Sequence, residues 1–310
     1  MKREFLPGAG EAGVRLDIFL AGRLPEYSRA YVQKLIRAGR VTLPGIAAVP
    51  RTPVAAGLPV TVELPEPAAP PPPEPENFAF PILYEDSAMV VINKPAGVVV
   101  HPAPGNPDGT VVNALLGRYP ELRSPELPPD ARPGIVHRLD KDTSGCLAAA
   151  RTPAAQSRLA AAFANRETAK IYLALTAGIP EAPRGRVENL IGRHPVNRQK
   201  MAVVERNGKP AVSEYEVVRR GVLGGYPVAL VQVRIHTGRT HQIRVHLAFL
   251  GCPVLGDALY GGARRIAAPR QMLHAWQLAI PHPVTGEKLH FRAPVPEDFK
   301  TLYHAITWEN

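Results

Sequence analysis

The chain has 310 residues, of which 45% are hydrophobic, and 37 lysines and arginines outnumber 27 acidic residues. At roughly 150 residues per domain, this predicts about two globular domains and excludes a short peptide, a disordered chain and a fibre. The net charge of +10 favours a polyanionic partner, nucleic acid before an anionic membrane. No apolar run approaches the roughly 18 residues of a membrane span, and the first residues lack the apolar core of a signal peptide, so we expect a cytoplasmic protein with no membrane partner.

Residues 1–64 predict a small domain with two helices, at Asp17–Leu24 and Ser28–Ala38. Ser28 fits the N-cap of the second helix, and Gly39 fits its end. Helical periodicity places basic side chains opposite the apolar stripe of this helix or beside it: Arg29, Lys34, Arg37 and Arg40. Charge of one sign favours a face that contacts phosphates, with an ordinary solvated helix face as the alternative.

Residues 65–77 form the one clear break in composition, with seven prolines and three glutamates. Because proline lacks a backbone donor, this run predicts an extended linker, with a ligand for a proline-binding domain as the alternative. In residues 78–310, short apolar strands such as Met89–Ile92 and Val228–Val233 alternate with helical stretches such as Pro153–Asn165. This mixture predicts one α+β domain, too irregular for a barrel of repeated βα units.

The densest polar cluster lies in Gly134–Gly145, GIVHRLDKDTSG, where a short apolar strand leads into a turn. Such junctions hold reactive side chains rigidly and leave them accessible. Arg138 and Lys141 flank Asp140, which favours an ionised carboxylate suited to a nucleophile or an electrostatic stabiliser. The pattern leaves Asp140 and Asp142 open as the reactive group, and an ordinary turn held by its own hydrogen bonds is the alternative.

A second cluster, around Ile235–Leu247, is rich in arginine and histidine, and a helix is predicted to begin with Thr240 as its N-cap. His241 and His246 are five residues apart and do not share a helix face, and no acidic residue accompanies them, so a metal site is disfavoured. Arginines such as Arg239 at a strand-to-helix junction favour a phosphate or carboxylate partner. Scattered surface arginines are the alternative.

Two further features favour nucleic acid. Lys170 and Tyr172 share one face of a predicted strand, where the tyrosine would pack, stack a base or move a proton. Residues 184–209 hold seven basic and two acidic side chains among many loop-forming residues. They predict a flexible basic insertion suited to an RNA backbone.

In order, these clusters resemble the motifs of the RluA/RluD family of pseudouridine synthases. HRLDKDTSG at 137–145 is similar to the catalytic motif, KIYLAL at 170–175 to the second and TGRTHQIRVHL at 237–247 to the third. Residues 15–45 resemble an S4 RNA-binding domain. The sequence NKPAGVVVHPAPGNPDGTVVNALL at 93–116 is most similar to the branch that acts on large-subunit ribosomal RNA.

The resemblance implies an α+β protein with a small S4-like RNA-binding domain and a catalytic domain built on a central mixed or antiparallel sheet flanked by helices. It implies that Asp140 is the nucleophile, that Arg244 pairs with it and that Tyr172 lies against the target uracil as a candidate base. Arg138 would enter the RNA helix in place of the flipped uridine. Further residues expected to bind RNA are His137, Lys170, Arg239 and the four basic residues of the first domain.

The implied reaction isomerises specific uridines to pseudouridine in large-subunit (23S) ribosomal RNA or a ribosomal subunit precursor. We expect a monomer that needs neither a metal nor another cofactor, and attack at C6 of the uracil or at C1′ of the ribose stays open. A protein that only holds RNA would be expected to lack Asp140, Tyr172 or Arg244, and all three are present. A nucleosidase or glycosidase would need a protonated carboxyl as its acid, whereas the basic neighbours of Asp140 favour the ionised form.

Overall fold

The computed structural model describes residues 1–64, 72–103, 105–123, 132–197, 199–263 and 266–309. The chain divides into two compact units, Met1–Pro70 and Pro71–Asn310. Within the described ranges, no helix is long and apolar enough to cross a membrane.

The first unit packs two helices on a small antiparallel sheet. The sheet has the order β1-β3-β2, with β1 at Lys2–Phe5, β2 at Val41–Thr42 and β3 at Val60–Glu63. The helices are α1 (Leu16–Arg23) and α2 (Arg29–Arg37). Ser28 accepts a hydrogen bond from the amide of Tyr31, which confirms the predicted N-cap. The core that these elements enclose includes Leu16, Leu20, Val32, Ile36, Val60 and Val62.

A buried carboxylate holds α1 to α2. Asp17 is fully buried and accepts hydrogen bonds from Arg29 at 2.8 Å, Gln33 at 2.7 Å and Arg15 at 3.1 Å. The guanidinium of Arg29 therefore neutralises a charge inside the unit, while 49% of its side chain remains exposed. The other three predicted basic residues, Lys34, Arg37 and Arg40, are exposed as well.

The second unit is built on one large sheet. Its strands are β4 (Ile82–Glu85), β5 (Met89–Lys94), β6 (Ser144–Ala150), β7 (Ala169–Ala177), β8 (Arg184–Arg193), β9 (Met201–Val204), β10 (Lys209–Leu223), β11 (Tyr226–Ile235), β12 (Leu273–Pro281), β13 (Lys288–Arg292) and β14 (Thr307–Trp308). Its helices are α3 (Val111–Arg118), α4 (Pro153–Ala164), α5 (Gln242–Phe249) and α6 (Glu297–Ala305). The predicted strands and helices all lie within or beside these elements.

The sheet is mixed, and its strand order places the three motif segments close together. The order is β4-β5-β6-β12-β7-β11-β10-β8-β9, with β13 added to β12 and β14 to β10. Neighbours are antiparallel except β6 and β12, which run parallel. The main core lies against this sheet and includes Leu147, Ala174, Val231, Ile243 and Leu247. Strands β6 and β7 and helix α5, which each belong to or follow a motif, therefore converge on one core.

The predicted linker is partly wrong. Residues 65–71 lie outside the described residues, but the segment that follows is docked on α3. The amide of Glu76 donates to the carbonyl of Asn113 at 2.9 Å, and the side chain of Asn113 donates to the carbonyl of Glu74 at 2.7 Å. A Cβ on Gly117 would lie 2.0 Å from the carbonyl oxygen of Glu76, so only glycine permits this approach. The end of the proline-rich segment is thus part of the second unit.

The interpretation of residues 184–209 as a flexible insertion is also wrong. Most of the segment forms β8 and β9, which pair antiparallel from Leu190 with Val204 to Arg193 with Met201. The basic side chains are therefore carried on the edge of the main sheet. Residues that strands disfavour, such as Gly185, Asn189 and Gly192, obscured the strand pattern in the sequence.

Candidate active site

A cleft in the second unit brings together residues from the three motif segments. Its polar lining includes Arg138, Asp140, Tyr172, His241 and Arg244. Its apolar walls are formed by Leu139, Ile235, Ile243 and Leu273. An adjoining pocket shares Asp140, His241 and Arg244. The cleft thus offers apolar surface for a flat ring beside the carboxylate of Asp140 and three arginines, Arg138, Arg239 and Arg244.

Two buried cations fix the backbone of the loop that carries Asp140. The ammonium of Lys94 is fully buried and donates to the carbonyl of Lys141 at 3.0 Å, as well as to two carbonyls of its own loop. On the other side, Arg270 donates to the carbonyl of Asp142 at 2.9 Å. Burial lowers the pKa of Lys94 to about 7. The position of Asp140 therefore depends on charges outside the cleft.

Gly145 fastens the same loop to the sheet. A Cβ there would lie 2.2 Å from the carbonyl oxygen of Ala275, and φ is +115°, a conformation that favours glycine. At this contact β6 pairs parallel with β12, and Ser144 hydrogen-bonds His274 at 2.9 Å. The register of two strands thus sets how far the loop reaches into the cleft.

Arg244 is the partner of Asp140. It lies on α5, is 5% exposed and donates from Nη1 to Oδ2 of Asp140 at 3.0 Å. Its Nε and Nη2 donate to the two carboxylate oxygens of Asp257, at 2.6 and 3.0 Å. This bidentate pair leaves the guanidinium one direction in which to meet Asp140.

The charges of the cleft support one another. Burial opposes the charged form of Arg244, but the hydrogen bonds and charges of Asp257 and Asp140 outweigh it and raise the pKa of the guanidinium. The ring of Tyr260 lies 5.1 Å from the guanidinium carbon and covers it. Asp257 also accepts hydrogen bonds from the backbone amides of Leu259 and Tyr260. The turn that carries Tyr260 is therefore held by the same carboxylate as Arg244.

Tyr172 forms a wall of the cleft and is 7% exposed. Burial raises the pKa of its phenol, and the nearby charge of Asp140 raises it further. The hydroxyl is therefore protonated near neutral pH. This state suits a packing or hydrogen-bonding role better than the role of a resting base.

His137 and Lys170, two of the residues expected to bind RNA, lie outside the residues that line the cleft. The His137 ring stacks on Phe163 with centroids 4.4 Å apart and accepts the amide of Ala148 at 2.9 Å. The ammonium of Lys170 lies 5.6 Å from the same phenyl ring. Burial, with a smaller effect from Lys170, lowers the pKa of His137 to about 3. These side chains fix the motif loop and strand to α4, and their expected contact with RNA stays a prediction.

The junction before α5 differs from its predicted form. Thr240 does not cap the helix; His241 is the N-cap residue and adopts a left-handed conformation, with φ of 56°. Arg239 lines the cleft but is anchored to the carbonyl of Pro210 at 2.9 Å. Arg138 is exposed at the cleft and retains the accessible position that the sequence suggested.

Sequence reasoning missed Asp257, Tyr260, Lys94 and Arg270. The segment VLGDALYGG, residues 254–262, carried one usable signal. Asp257 is its only charged residue, and a glycine, Gly256, directly precedes it. Among the described residues, no three His, Cys, Asp or Glu side chains are grouped to hold a metal ion.

The sequence and fold are similar to those of known proteins. Residues 88–249 match the model of the RNA pseudouridylate synthase family. An uncharacterized RNA pseudouridine synthase of Synechocystis sp. is 42% identical over 298 residues, which cover 94% of this chain and 89% of the relative. Ribosomal large subunit pseudouridine synthase D of Pseudomonas aeruginosa is 42% identical over 308 residues, which cover 94% and 91%.

A solved structure shows the same fold. Human RNA pseudouridylate synthase domain containing 1 superimposes with a TM-score of 0.60 at 28% identity, over 80% of this chain and 92% of that one. The similarity in sequence extends through the Asp140 loop, Tyr172 and Arg244, all within the matched range. This chain therefore belongs to the RNA pseudouridylate synthase family.

Proposed function

We propose that this enzyme isomerises specific uridines of large-subunit ribosomal RNA to pseudouridine, with Asp140 as the nucleophile. The observation that carries the proposal is the pair of Asp140 and Arg244 in a cleft with apolar walls. Arg244 pairs with the carboxylate and fixes one of its oxygens. The names of the Pseudomonas aeruginosa relative and of one from Neisseria meningitidis, at 41% identity, support the choice of RNA.

The reaction requires no external reactant. Asp140 attacks C6 of the uracil or C1′ of the ribose, the bond from N1 to C1′ breaks, and the uracil turns while it stays in the cleft. The bond from C5 to C1′ then forms, the bond to Asp140 breaks and restores the carboxylate, the hydrogen leaves C5 as a proton, and N1 is protonated. The atoms of the product equal those of the substrate, so the residues need only activate, hold and deprotonate the base.

The target base must leave its stack to reach Asp140, at a cost of a few kcal/mol. Arg138, exposed at the cleft, fills the vacated position in the RNA. Tyr172 and the apolar walls then contact the faces of the extruded base, a contact that is worth about 1–3 kcal/mol for an aromatic platform.

The first unit, residues 1–64 in the predicted division, acts as an S4-like RNA-binding domain through Lys34, Arg37 and Arg40. These exposed residues and the net charge of +10 support RNA binding. In this proposal the enzyme is a monomer and acts in the cytoplasm. We expect the double substitution Lys34→Ala and Arg37→Ala to make the slope of log K for RNA binding against log salt concentration less steep by roughly 1–2. An unchanged slope would remove this face from the interface.

Tritium release tests the reaction and the nucleophile together. With ribosomal RNA that carries 5-tritiated uridine, the wild-type enzyme is expected to release tritium and Asp140→Asn to release none while still binding RNA. Asp142→Asn, which alters the neighbouring carboxylate, should retain most of the rate. A rate above about 10% for Asp140→Asn, less than 1.4 kcal/mol of barrier, would contradict the role of Asp140.

A further inference from the structure

His241 has a backbone conformation that its side chain does not favour. Its φ is +56°, and among the described residues only Arg166 and Asn207 are other non-glycine residues with positive φ. Strained residues of this kind concentrate at functional sites, where the surrounding structure holds them. The residue lies at the start of α5 and lines both pockets of the cleft, next to Asp140 and Arg244.

The phenol of Tyr260 holds one ring nitrogen of His241. The phenol oxygen accepts the amide of Met201 at 2.8 Å and lies 2.9 Å from Nδ1 of His241. Among the described residues, the phenol proton has no other acceptor, so donation to Nδ1 satisfies both groups. The neutral ring then carries its hydrogen on Nε2, which makes no hydrogen bond to any described residue.

The residues around His241 indicate which kind of ligand group could accept the Nε2 hydrogen. The cleft walls of Leu139, Ile235 and Leu273 receive the faces of a flat base, while His241 stands at its polar edge. Burial lowers the pKa of His241, so the ring is an uncharged donor near neutral pH. An uncharged donor beside the Asp140 carboxylate suits a carbonyl acceptor, and uracil carries two carbonyls.

We propose that His241 donates its Nε2 hydrogen to a carbonyl oxygen of the target uracil and that Tyr260 is the positioning residue for this contact. The inference rests on the proposed function and adds a substrate-contacting residue to it. Because Met201 begins β9, the β8–β9 hairpin holds the phenol, and thereby the donor, in place.

The test combines enzyme variants with single-atom changes in the RNA. A synthetic RNA carries the uridine that the wild-type enzyme modifies, or 2-thiouridine or 4-thiouridine at that position, since sulfur accepts hydrogen bonds poorly. The variant His241→Gly removes the donor and keeps a residue that tolerates positive φ, so it folds. His241→Asn also tolerates this conformation and retains an N–H donor.

We expect one of the two thio substitutions to slow the reaction of the wild-type enzyme about tenfold. The same substitution should slow the reaction of the His241→Gly variant less than about twofold. His241→Asn should restore part of the rate difference between unmodified and thio-substituted RNA. Tyr260→Phe should make this difference smaller than in the wild type, and nitrogen NMR should show that the His241 tautomer is no longer fixed. Equal losses for the wild type and His241→Gly at both carbonyls would overturn the inference. No product from unmodified RNA with the wild-type enzyme would instead overturn the proposed function, and this inference with it.

Discussion

The substitution Asp257→Asn tests whether the site depends on a carboxylate that never touches the substrate. Asp257 is 1% exposed and accepts four hydrogen bonds, two from Arg244 and two from the amides of Leu259 and Tyr260. Asparagine can keep the two amide bonds and the bond from Nη2 of Arg244 through its one oxygen. Its NH₂ group then faces Nε of Arg244, another donor, where no hydrogen bond forms.

The expected loss of stability is large. Removal of one partner from a buried ion pair costs about 3–5 kcal/mol. Here Arg244 would keep only Asp140 as a counter-ion. Taking about 4 kcal/mol and a urea slope of about 3 kcal/mol per M, the unfolding midpoint should fall by roughly 1.3 M. The activity should fall at least tenfold in the folded variant, because Arg244 is no longer oriented toward Asp140.

Tryptophan fluorescence measures this stability in the relevant unit, since both tryptophans, Trp276 and Trp308, lie in the second unit. Asp86→Asn is the matched control. Asp86 also accepts four hydrogen bonds but lies at the β4–β5 turn, away from the cleft. It should lose stability and keep its rate of tritium release. If Asp257→Asn unfolds within about 0.5 kcal/mol of the wild type and retains its rate, the reasoning about Arg244 is refuted.

The first unit should be sensitive to acid through Asp17. Burial disfavours this carboxylate, but hydrogen bonds from Gln33 and two arginines outweigh it and lower its pKa to about 2. Its contribution of about 2 kcal/mol is present above the unfolded pKa near 3.8 and is lost as the pH falls through about 2. Asp17→Asn should therefore speed amide exchange in α2 roughly thirtyfold at pH 7, with the difference closing toward pH 2; equal rates at pH 7 would contradict this. Burial raises the pKa of the Cys146 and Cys252 thiols to about 11, so a thiol reagent at pH 8 should modify neither until the protein is unfolded in urea. Rapid modification of the folded enzyme would show that one thiol is accessible.

The elements that the sequence predicted well are those with strong local signals. Ser28 and Gly39 bracket α2, and apolar runs such as Val228–Val233 lie inside β11. Motif order placed Asp140, Tyr172 and Arg244 in one candidate site, and the structure brings them to one cleft.

The features that escaped prediction depend on contacts between distant segments. Projection of one helix could not show that Arg29 meets Asp17 of the preceding helix. Asp257 had no local pattern, because its partner lies on another element. Glu76 appeared to belong to a free spacer because nothing in its composition indicates contact with α3. Local periodicity reports which face is apolar, but not which partner covers the polar groups.

The parallel pairing of β6 with β12 and the salt bridge across the cleft also determine when the site forms during synthesis. Asp140 and Arg244 are 104 residues apart, and a ribosome that adds about 5–20 residues per second needs roughly 5–20 s between them. Over that interval the loop with Asp140 has neither its counter-ion nor the neighbouring strand that fixes Gly145. We therefore expect the nascent chain to be inactive until most of its second unit has been translated, because a chain released early would carry Asp140 without Arg244 and β12 around it.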